Sequence, residues 1–311
     1  MSDEPLEPEP SPSSTTAARL AAEFERHTSL PLATGLYLVA TPIGNLADIS
    51  VRALATLAQA DVVYCEDTRH SRTLVAHYAI RATLRPYHEH NAEEQRPRVL
   101  QELADGKAVA LISDAGTPLV SDPGFKLVRE AAAAGHKVVA IPGASATLTA
   151  LTVSGLPTDA FFFAGFLPHK EGSRKNRIAA LADIPATLVL FEAPTRTADA
   201  LRDLAEVLGD RPAAVARELT KLHEDVVRAP LAELARRYEA ETPKGEIVIL
   251  VAPPGTRDIS DALIEERLTE ALANASTRDA ARTVADALNV PKGRVYDLAV
   301  AMKNRERRSI E

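Results

Sequence analysis

The chain has 311 residues, enough for two domains with a sizeable core. Its composition, with 46% hydrophobic and 25% charged residues, is ordinary for a globular protein. Its net charge of −7 argues against a uniformly basic nucleic-acid binder but leaves room for a local basic patch. The single cysteine, Cys65, excludes an internal disulfide, and no apolar stretch approaches the ~20 residues of a membrane span. We therefore expect a cytoplasmic protein that does not enter a membrane.

The first half of the chain alternates strands and helices, which predicts a mainly parallel α/β sheet. Residues 1–34 are predicted to be an irregular tail: residues 1–14 carry four prolines and four acids and are expected to be disordered, and residues 16–27 fit a short helix. The N-terminal α/β domain, residues 35–155, has predicted strands at Gly35–Ala40, Val62–Cys65, Thr83–Arg85, Ala108–Ile112 and Lys137–Ile141.

A second α/β domain is predicted over residues 156–255, and a small helical domain over residues 256–311. The second α/β domain has predicted strands at Ala160–Gly165, Ala186–Phe191, Ala213–Arg217 and Glu246–Ala252, with loops at Pro168–Arg177 and Glu218–Asp225. The helical domain resembles a helix-turn-helix, with predicted helices at Ser260–Leu272, Thr277–Leu288 and Lys292–Met302 and a break at Asn289–Pro291.

The loop after Ala108–Ile112 organises the first domain. Its strand is apolar and predicted to be buried, and the following helix is predicted to begin with Asp122 as N-cap and Pro123 at its first position. In open α/β sheets ligands bind outside the carboxyl ends of the strands, so Asp114 and Gly116 are the first candidates for a site. The alternative is an ordinary turn made of ordinary turn residues.

Missing motifs exclude several chemistries. No two glycines are spaced as a G-x-G-x-x-G or Walker A loop requires, and H-E-x-x-H, C-x-x-C and G-x-S-x-G are absent. No metal site is predicted, and His88 and His90 alone are too few ligands for one. What remains is three strand-end loops that can hold a polar, nucleoside-like ligand through backbone groups and hydroxyls. Their candidate residues are Pro42, Gly44, Asp114, Gly116, Thr117, Pro142, Gly143 and Ser145.

Several stretches of the sequence resemble a known family. They are Ala40–Ile49, Cys65–Arg69, Ser113–Gly124 and Ile141–Ala146, continued by Phe166–Pro168, Phe191–Arg196, Ala216–Lys221 and Lys244–Val248. Together they closely resemble the ribosomal RNA small subunit methyltransferase I family of the tetrapyrrole-methylase superfamily, over roughly residues 35–311.

This resemblance implies two α/β domains with S-adenosylmethionine bound in the cleft between them. It implies methyl transfer to the ribose 2′-oxygen of a cytidine in the decoding region of 16S rRNA, presented as free rRNA or as an assembled small ribosomal subunit, and a homodimer. It adds Ala146, Glu192 and Gly245 to the predicted cofactor-binding residues. The alternatives are a tetrapyrrole methyltransferase of precorrin type and a nucleic-acid-binding regulator without catalysis.

A ribose hydroxyl is a weak nucleophile that benefits from a base or a stabilising cation. The strand ends offer Glu66, Asp67 and Lys221 as catalytic candidates, besides Glu192 and Glu218; for each, a helix cap or a surface ion pair is the alternative.

Phosphate contacts are expected from a basic segment, because basic charge at a helix N-terminus is otherwise unfavourable. The predicted RNA-binding residues are Lys170, Arg174, Lys175 and Arg177. The helical tail, with Lys292, Arg294, Lys303, Arg305, Arg307 and Arg308, is either a nucleic-acid contact or a packing element.

Overall fold

The computed structural model describes residues 12–121, 124–255, 260–288 and 290–308. The chain divides into two compact units, Met1–Pro253 and Pro254–Glu311. In the part of the chain that is described, the first unit contains two five-stranded sheets and the second contains helices. None of the described helices is long and apolar enough to cross a membrane.

The first sheet is parallel throughout. Its strands are β1 (Gly35–Val39), β2 (Val62–Cys65), β3 (Leu84–Pro86), β4 (Ala108–Ile112) and β5 (Val138–Ile141), in the order β3-β2-β4-β1-β5. Every residue of β4 is buried, as expected for a central strand covered on both faces. The predicted parallel sheet is therefore confirmed.

In the described part of the chain, six helices accompany this sheet. They are α1 (Pro12–Thr28), α2 (Val51–Gln59), α3 (Thr68–His77), α4 (Ala92–Ala104), α5 (Phe125–Ala133) and α6 (Ala146–Val153). Short polar side chains cap three of them, α2, α3 and α6. The Ser50 hydroxyl accepts from the Ala53 N–H at the start of α2, and the Ser145 hydroxyl accepts from the Leu148 N–H at the start of α6.

Two helices begin at residues other than those predicted. The expected disorder of residues 1–14 is wrong from Pro12 onward, because α1 begins there and docks on α2, where the Gln59 side-chain amide donates to the His27 carbonyl at 3.0 Å. Residues 1–11 lie outside the described residues. So do Asp122 and Pro123, predicted to start α5; the helix itself begins at Phe125.

The second sheet is mixed. Its strands are β6 (Phe161–Phe166), β7 (Thr187–Glu192), β8 (Pro212–Arg217), β9 (Asp225–Pro230) and β10 (Ile247–Val251), in the order β6-β7-β10-β8-β9. Only β6 and β7 pair in parallel; the other pairs are antiparallel. The sequence analysis missed β9, an edge strand whose charged residues and terminal Pro230 obscure the strand pattern.

The helices of this half are α7 (Glu171–Ala179), α8 (Thr197–Leu208) and α9 (Leu231–Ala240). The predicted loop Pro168–Arg177 is wrong from Glu171 onward, because α7 begins there. Ile178 of α7 is fully buried in the core that α7, α8 and α9 build on the second sheet, and this packing outweighs the polar character of the segment. On the other face of the sheet, Leu151 of α6 packs with Val189 and Ala214, which joins the two sheets within the first unit.

The second unit consists, among its described residues, of α10 (Asp261–Leu272), α11 (Thr277–Leu288) and α12 (Lys292–Arg308), which confirms the three predicted helices. Their core includes Ile264, Val284 and Val295. Two of the predicted tail cations are used internally: Arg294 bonds to Asp261 and Arg305 bonds to Glu265, tying α12 to α10. The predicted break at Asn289 and the side chains of Arg307 and Arg308 lie outside the described residues.

Candidate active site

A cavity of ≈ 430 Å³ opens at the carboxyl ends of the first sheet and is closed on its other side by the second sheet. Cavities of this size typically bind small molecules. Its lining comprises Ile43, Glu66, Asp114–Thr117, Val120, Ser121, Ser145–Thr147, Phe166, Phe191–Pro194 and Gly245–Val248. Both sheets of the first unit therefore contribute to one site.

The three strand-end loops of the first sheet are interlocked. Thr41 and Gly116 exchange backbone hydrogen bonds of 2.9 and 3.1 Å, and the Thr117 hydroxyl donates to the Ala144 carbonyl at 3.2 Å. Gly116 has φ +79°, and a Cβ there would stand 3.2 Å from Ile43. A side chain at this position would be strained in the backbone and would crowd the cavity wall.

Seven of the eleven residues predicted to bind the cofactor line this cavity: Asp114, Gly116, Thr117, Ser145, Ala146, Glu192 and Gly245. Pro42, Gly44, Pro142 and Gly143 are outside the lining. Two of them allow close packing behind it, since a Cβ on Gly143 would lie 2.9 Å from the Ala40 side chain and one on Gly44 would collide with the Lys221 stem.

Glu66 is a half-buried carboxylate at the cavity wall. Burial raises the pKa of Glu66, and the negative charge of Asp114 raises it further; His88 opposes this rise, and Asp67 adds to it less than Asp114 does. Among the described residues none donates a hydrogen bond to its carboxylate. The neighbouring Asp114 is held differently, because its Oδ1 accepts the Asp67 backbone N–H at 3.0 Å.

The other two catalytic candidates do not line the cavity. Asp67 caps α3 through the Arg69 N–H and forms a 2.7 Å ion pair with the Arg69 side chain; these bonds hold the pKa of Asp67 far below its usual range. A carboxylate with so low a pKa is a poor proton acceptor at neutral pH. The cap and ion pair named as the alternative in the sequence analysis are what the structure has at Asp67.

Lys221 is also tied down, with its Nζ 2.9 Å from Glu218 and 3.3 Å from Glu246. Burial works to lower the pKa of Lys221, but these two carboxylates raise it on balance, so the ammonium stays charged. Only Glu246, and not Lys221 itself, reaches the cavity lining. The lysine thus braces the rim between the Glu218 loop and Gly44 and does not face a substrate in the cavity.

Glu192 is buried, and its two oxygens accept from the Ala193 N–H at 2.8 Å and from Arg196 at 3.2 Å. Burial raises the pKa of Glu192, whereas these bonds oppose the rise. This carboxylate is therefore positioned as a fixed acceptor at the cavity wall.

Sequence reasoning missed the apolar wall of the cavity. Phe191 contacts Phe166 edge-on at a ring distance of 5.7 Å, and Phe166 and Val120 remain 57% and 38% exposed. Exposed aromatic side chains beside a pocket suit a flat, partly apolar ligand. Phe166 belongs to the family-like stretch Phe166–Pro168, but nothing in the sequence indicates that its ring lines the cavity.

The predicted RNA-binding segment is only partly available. Arg174 is buried and forms a 2.6 Å ion pair with the buried Asp203, and Lys175 lies 2.8 Å from Glu206 and 3.0 Å from Glu171. Burial excludes Arg174 from contact with a phosphate, so its assignment to RNA is wrong. Lys170 and Arg177 are exposed. No group of three potential metal ligands occurs among the described residues.

Two family models match this chain and define its class of protein. The family model described as Tetrapyrrole (Corrin/Porphyrin) Methylases matches residues 35–235, and that of the RsmI C-terminal HTH domain matches residues 258–303. Two solved structures share the fold. A diphthine synthase has a TM-score of 0.56 and 23% sequence identity, with 70% of this chain and 89% of its own length covered. A uroporphyrin-III-C-methyltransferase from Thermus thermophilus has a TM-score of 0.51 and 24% sequence identity, with 70% of this chain and 94% of its own length covered. Fold and cavity thus define an S-adenosylmethionine-dependent methyltransferase of the tetrapyrrole methylase class.

Relatives with higher sequence identity show which family within this class the chain belongs to. A protein named Ribosomal RNA small subunit methyltransferase I from Mesorhizobium japonicum is 52% identical over 88% of this chain and 94% of its own length. Its namesake from Pseudomonas aeruginosa is 44% identical over 85% and 96%. The chain belongs to the ribosomal RNA small subunit methyltransferase I family.

Proposed function

We propose that this chain transfers the methyl group of S-adenosylmethionine to the ribose 2′-oxygen of a cytidine in the decoding region of 16S rRNA. The observation that carries the chemistry is the cavity, which places the Glu66 carboxylate, to which no described residue donates a hydrogen bond, among small strand-end residues and an aromatic wall. The names of the relatives support the choice of small-subunit rRNA as substrate. In a bacterium, such a substrate assigns the enzyme to the cytoplasm.

The residues of the cavity fit the cofactor. The donor is a nucleoside joined to an amino acid through a cationic sulfonium, and the cavity offers four carboxylates, from Glu66, Asp114, Glu192 and Glu246, with no lysine or arginine among its described lining residues. The buried Thr147 hydroxyl at the wall has no hydrogen-bond partner among the described residues. The start of α6 at Ala146 presents backbone N–H groups that suit the ligand's own carboxylate.

When bound, S-adenosylmethionine supplies an activated methyl group, so the protein mainly aligns the two reactants and excludes water. The acceptor hydroxyl must lose a proton as it attacks. Glu66 is the residue we assign to that proton, because its carboxylate faces the cavity, is free of protein donors among the described residues, and has a raised pKa. Asp114 and Asp67 place their negative charge beside it.

The tetrapyrrole alternative shares the cofactor loops and would need a site for a macrocycle. The helical unit favours RNA over that alternative, because the family model matching residues 258–303 belongs to a nucleic-acid-binding type of fold. The regulator without catalysis is disfavoured by the intact cavity. We keep Lys170 and Arg177, both exposed at the start and end of α7, as proposed phosphate contacts.

The test is methyl transfer itself. Labelled S-adenosylmethionine is incubated with the protein and small ribosomal subunits that lack the modification, with a porphyrinoid substrate in a parallel reaction. We expect label in 16S rRNA alone. Label in the porphyrinoid and none in rRNA would select the alternative, and calorimetry showing no binding of the cofactor by folded protein would contradict both.

We further propose that the protein acts as a homodimer. Exposed apolar side chains support this, among them Leu222, which is 93% exposed beside the Lys221 brace at the rim of the cavity. Two-fold dimers are the commonest closed assemblies. Light scattering at micromolar concentration should give the mass of two chains, and a clean monomer mass would refute the proposal.

A further inference from the structure

The second unit contains a notch of ≈ 540 Å³ between α11 and the first turns of α12. Its described lining is Arg278, Ala281, Arg282, Lys292, Gly293 and Tyr296. Arg278 and Arg282 are four residues apart on α11, and Lys292 and Tyr296 are four apart on α12, so each pair shares one helix face. Small residues open the notch: the buried Ala281 is at its floor, and a Cβ on Gly293 would meet nothing within 4 Å.

The notch is basic although its unit is not. Three cations line it, and no carboxylate does so among the described residues. No described residue holds Arg278 in an ion pair or hydrogen bond. Arg282 pairs with Asp279 and Lys292 with Asp286, but all four side chains are more than half exposed. Exposed pairs of this kind are worth little, so a phosphate can replace the carboxylates.

Tyr296 gives the notch an aromatic surface. Its side chain is 46% exposed at the notch rim, although large aromatic side chains are usually buried for their apolar area. An exposed ring beside cations provides stacking for a base and anchoring for the phosphate on either side of it. In double-stranded RNA the bases are stacked inside the helix and unavailable to such a ring.

We propose that this notch binds an unpaired nucleotide of RNA, with Arg278, Arg282 and Lys292 holding the phosphates and Tyr296 stacking on the base. The inference rests on the proposed function in taking RNA as the partner, and it adds a site that is remote in sequence from the methyl-transfer cavity. By contrast, Arg294 and Arg305 of the same helix are bonded to Asp261 and Glu265, so they belong to the fold of the unit.

The experiment measures binding of fluorescein-labelled hexacytidylate to the full-length protein by anisotropy over a series of salt concentrations. Arg278→Ala with Arg282→Ala should weaken binding about tenfold or more and lower the slope of log Kd against log salt by roughly 0.7 for each phosphate that is no longer neutralised. Tyr296→Ala should weaken binding about tenfold, whereas Tyr296→Phe, which keeps the ring, should bind as the wild type does.

The matched control is Arg236→Ala with Arg267→Ala, which removes the same charge at two exposed positions outside the notch lining. Wild-type binding in the notch double variant, an equal loss in the control, or full competition by an RNA duplex would each overturn the proposal. Methylation of small subunits is measured in parallel. If wild-type protein methylates subunits and the notch variants keep its KM, the notch proposal is contradicted and the proposed function is supported. If hexacytidylate binds through the notch but subunits are not methylated, the notch proposal is supported and the proposed function is contradicted.

Discussion

The cavity of the first unit and the notch of the second have opposite chemistry. Four carboxylates and no cation line the described cavity, whereas three cations and no carboxylate line the described notch. A carboxylate-lined cavity suits a cationic cofactor and a proton to be accepted, and a cation-lined notch suits a polyanion. A protein of net charge −7 needs a local cluster of cations to hold a polyanion, and the notch offers three of them.

Glu66→Gln should have the largest effect, because it tests whether the cavity supplies the proton acceptor. Removing the proton acceptor should lower kcat by about 10²- to 10⁴-fold. The side chain keeps its size, so cofactor affinity measured by calorimetry should change little. Glu94→Gln, at an exposed glutamate on α4, is the matched control and should keep the wild-type rate. A Glu66→Gln enzyme of unchanged kcat would remove Glu66 from the reaction.

Arg174→Ala separates cations of the fold from cations of the RNA surface. Because Asp203 would be left buried without its partner, we expect the free energy of unfolding to fall by about 3–5 kcal/mol. Arg177→Ala, at an exposed position three residues on, should cost less than about 0.5 kcal/mol. Urea titrations of both variants measure this difference, and equal stabilities would contradict the buried role of Arg174.

Asp114→Asn tests whether the negative charge of the cavity favours a cationic ligand. The amide oxygen can still accept the Asp67 N–H, so the loop should keep its shape. We expect affinity for S-adenosylmethionine to fall about tenfold and affinity for its demethylated product, whose sulfur is neutral, to fall less, because only the former carries a sulfonium. Calorimetry with both ligands gives the two ratios. Asp159→Asn, at an exposed aspartate, is the control, and equal losses for the two ligands would argue against an electrostatic role.

The smallest expected effect is on pH dependence. Glu66 accepts a proton only when ionised, and burial together with Asp114 raises its pKa above the ordinary 4.5. The rate should therefore fall, as pH is lowered, at a higher pH than an ordinary glutamate would give. Asp114→Asn removes one of the neighbouring charges and should move this limb toward lower pH by less than about one unit. A limb that does not move, or moves upward, would contradict the assignment.

The sequence located the cavity well because its wall is built from strand ends. Asp114, Gly116 and Ser145 follow apolar strands of a parallel sheet, whose carboxyl ends meet at one edge, so their convergence is readable from order alone. What could not be predicted was which loop residues line the space and which brace them. Gly44 and Gly143 carry the same sequence signal as Gly116, yet they admit the Lys221 and Ala40 side chains behind the wall.

Charge partners were the other information that the sequence lacked. Arg174 pairs with Asp203, 29 residues away, and Lys221 with Glu246, so neither the burial of the first nor the bracing role of the second follows from local pattern. The same holds for the notch, where Arg278 and Tyr296 meet only because α11 and α12 pack at their core residues. The sequence analysis had counted Lys292 among the tail cations and had not singled out Arg278, Arg282 or Tyr296.

The central claim is methyl transfer to a ribose 2′-oxygen of small-subunit rRNA, and alkaline hydrolysis of the labelled product tests it most directly. Alkaline cleavage of RNA requires a free 2′-hydroxyl, so a 2′-O-methyl group leaves its linkage intact. After reaction with labelled S-adenosylmethionine and unmodified small subunits, our account predicts that the label appears in one alkali-stable dinucleotide whose first residue is cytidine. Label recovered in mononucleotides, which would indicate methylation of a base, or no label in 16S rRNA would contradict it.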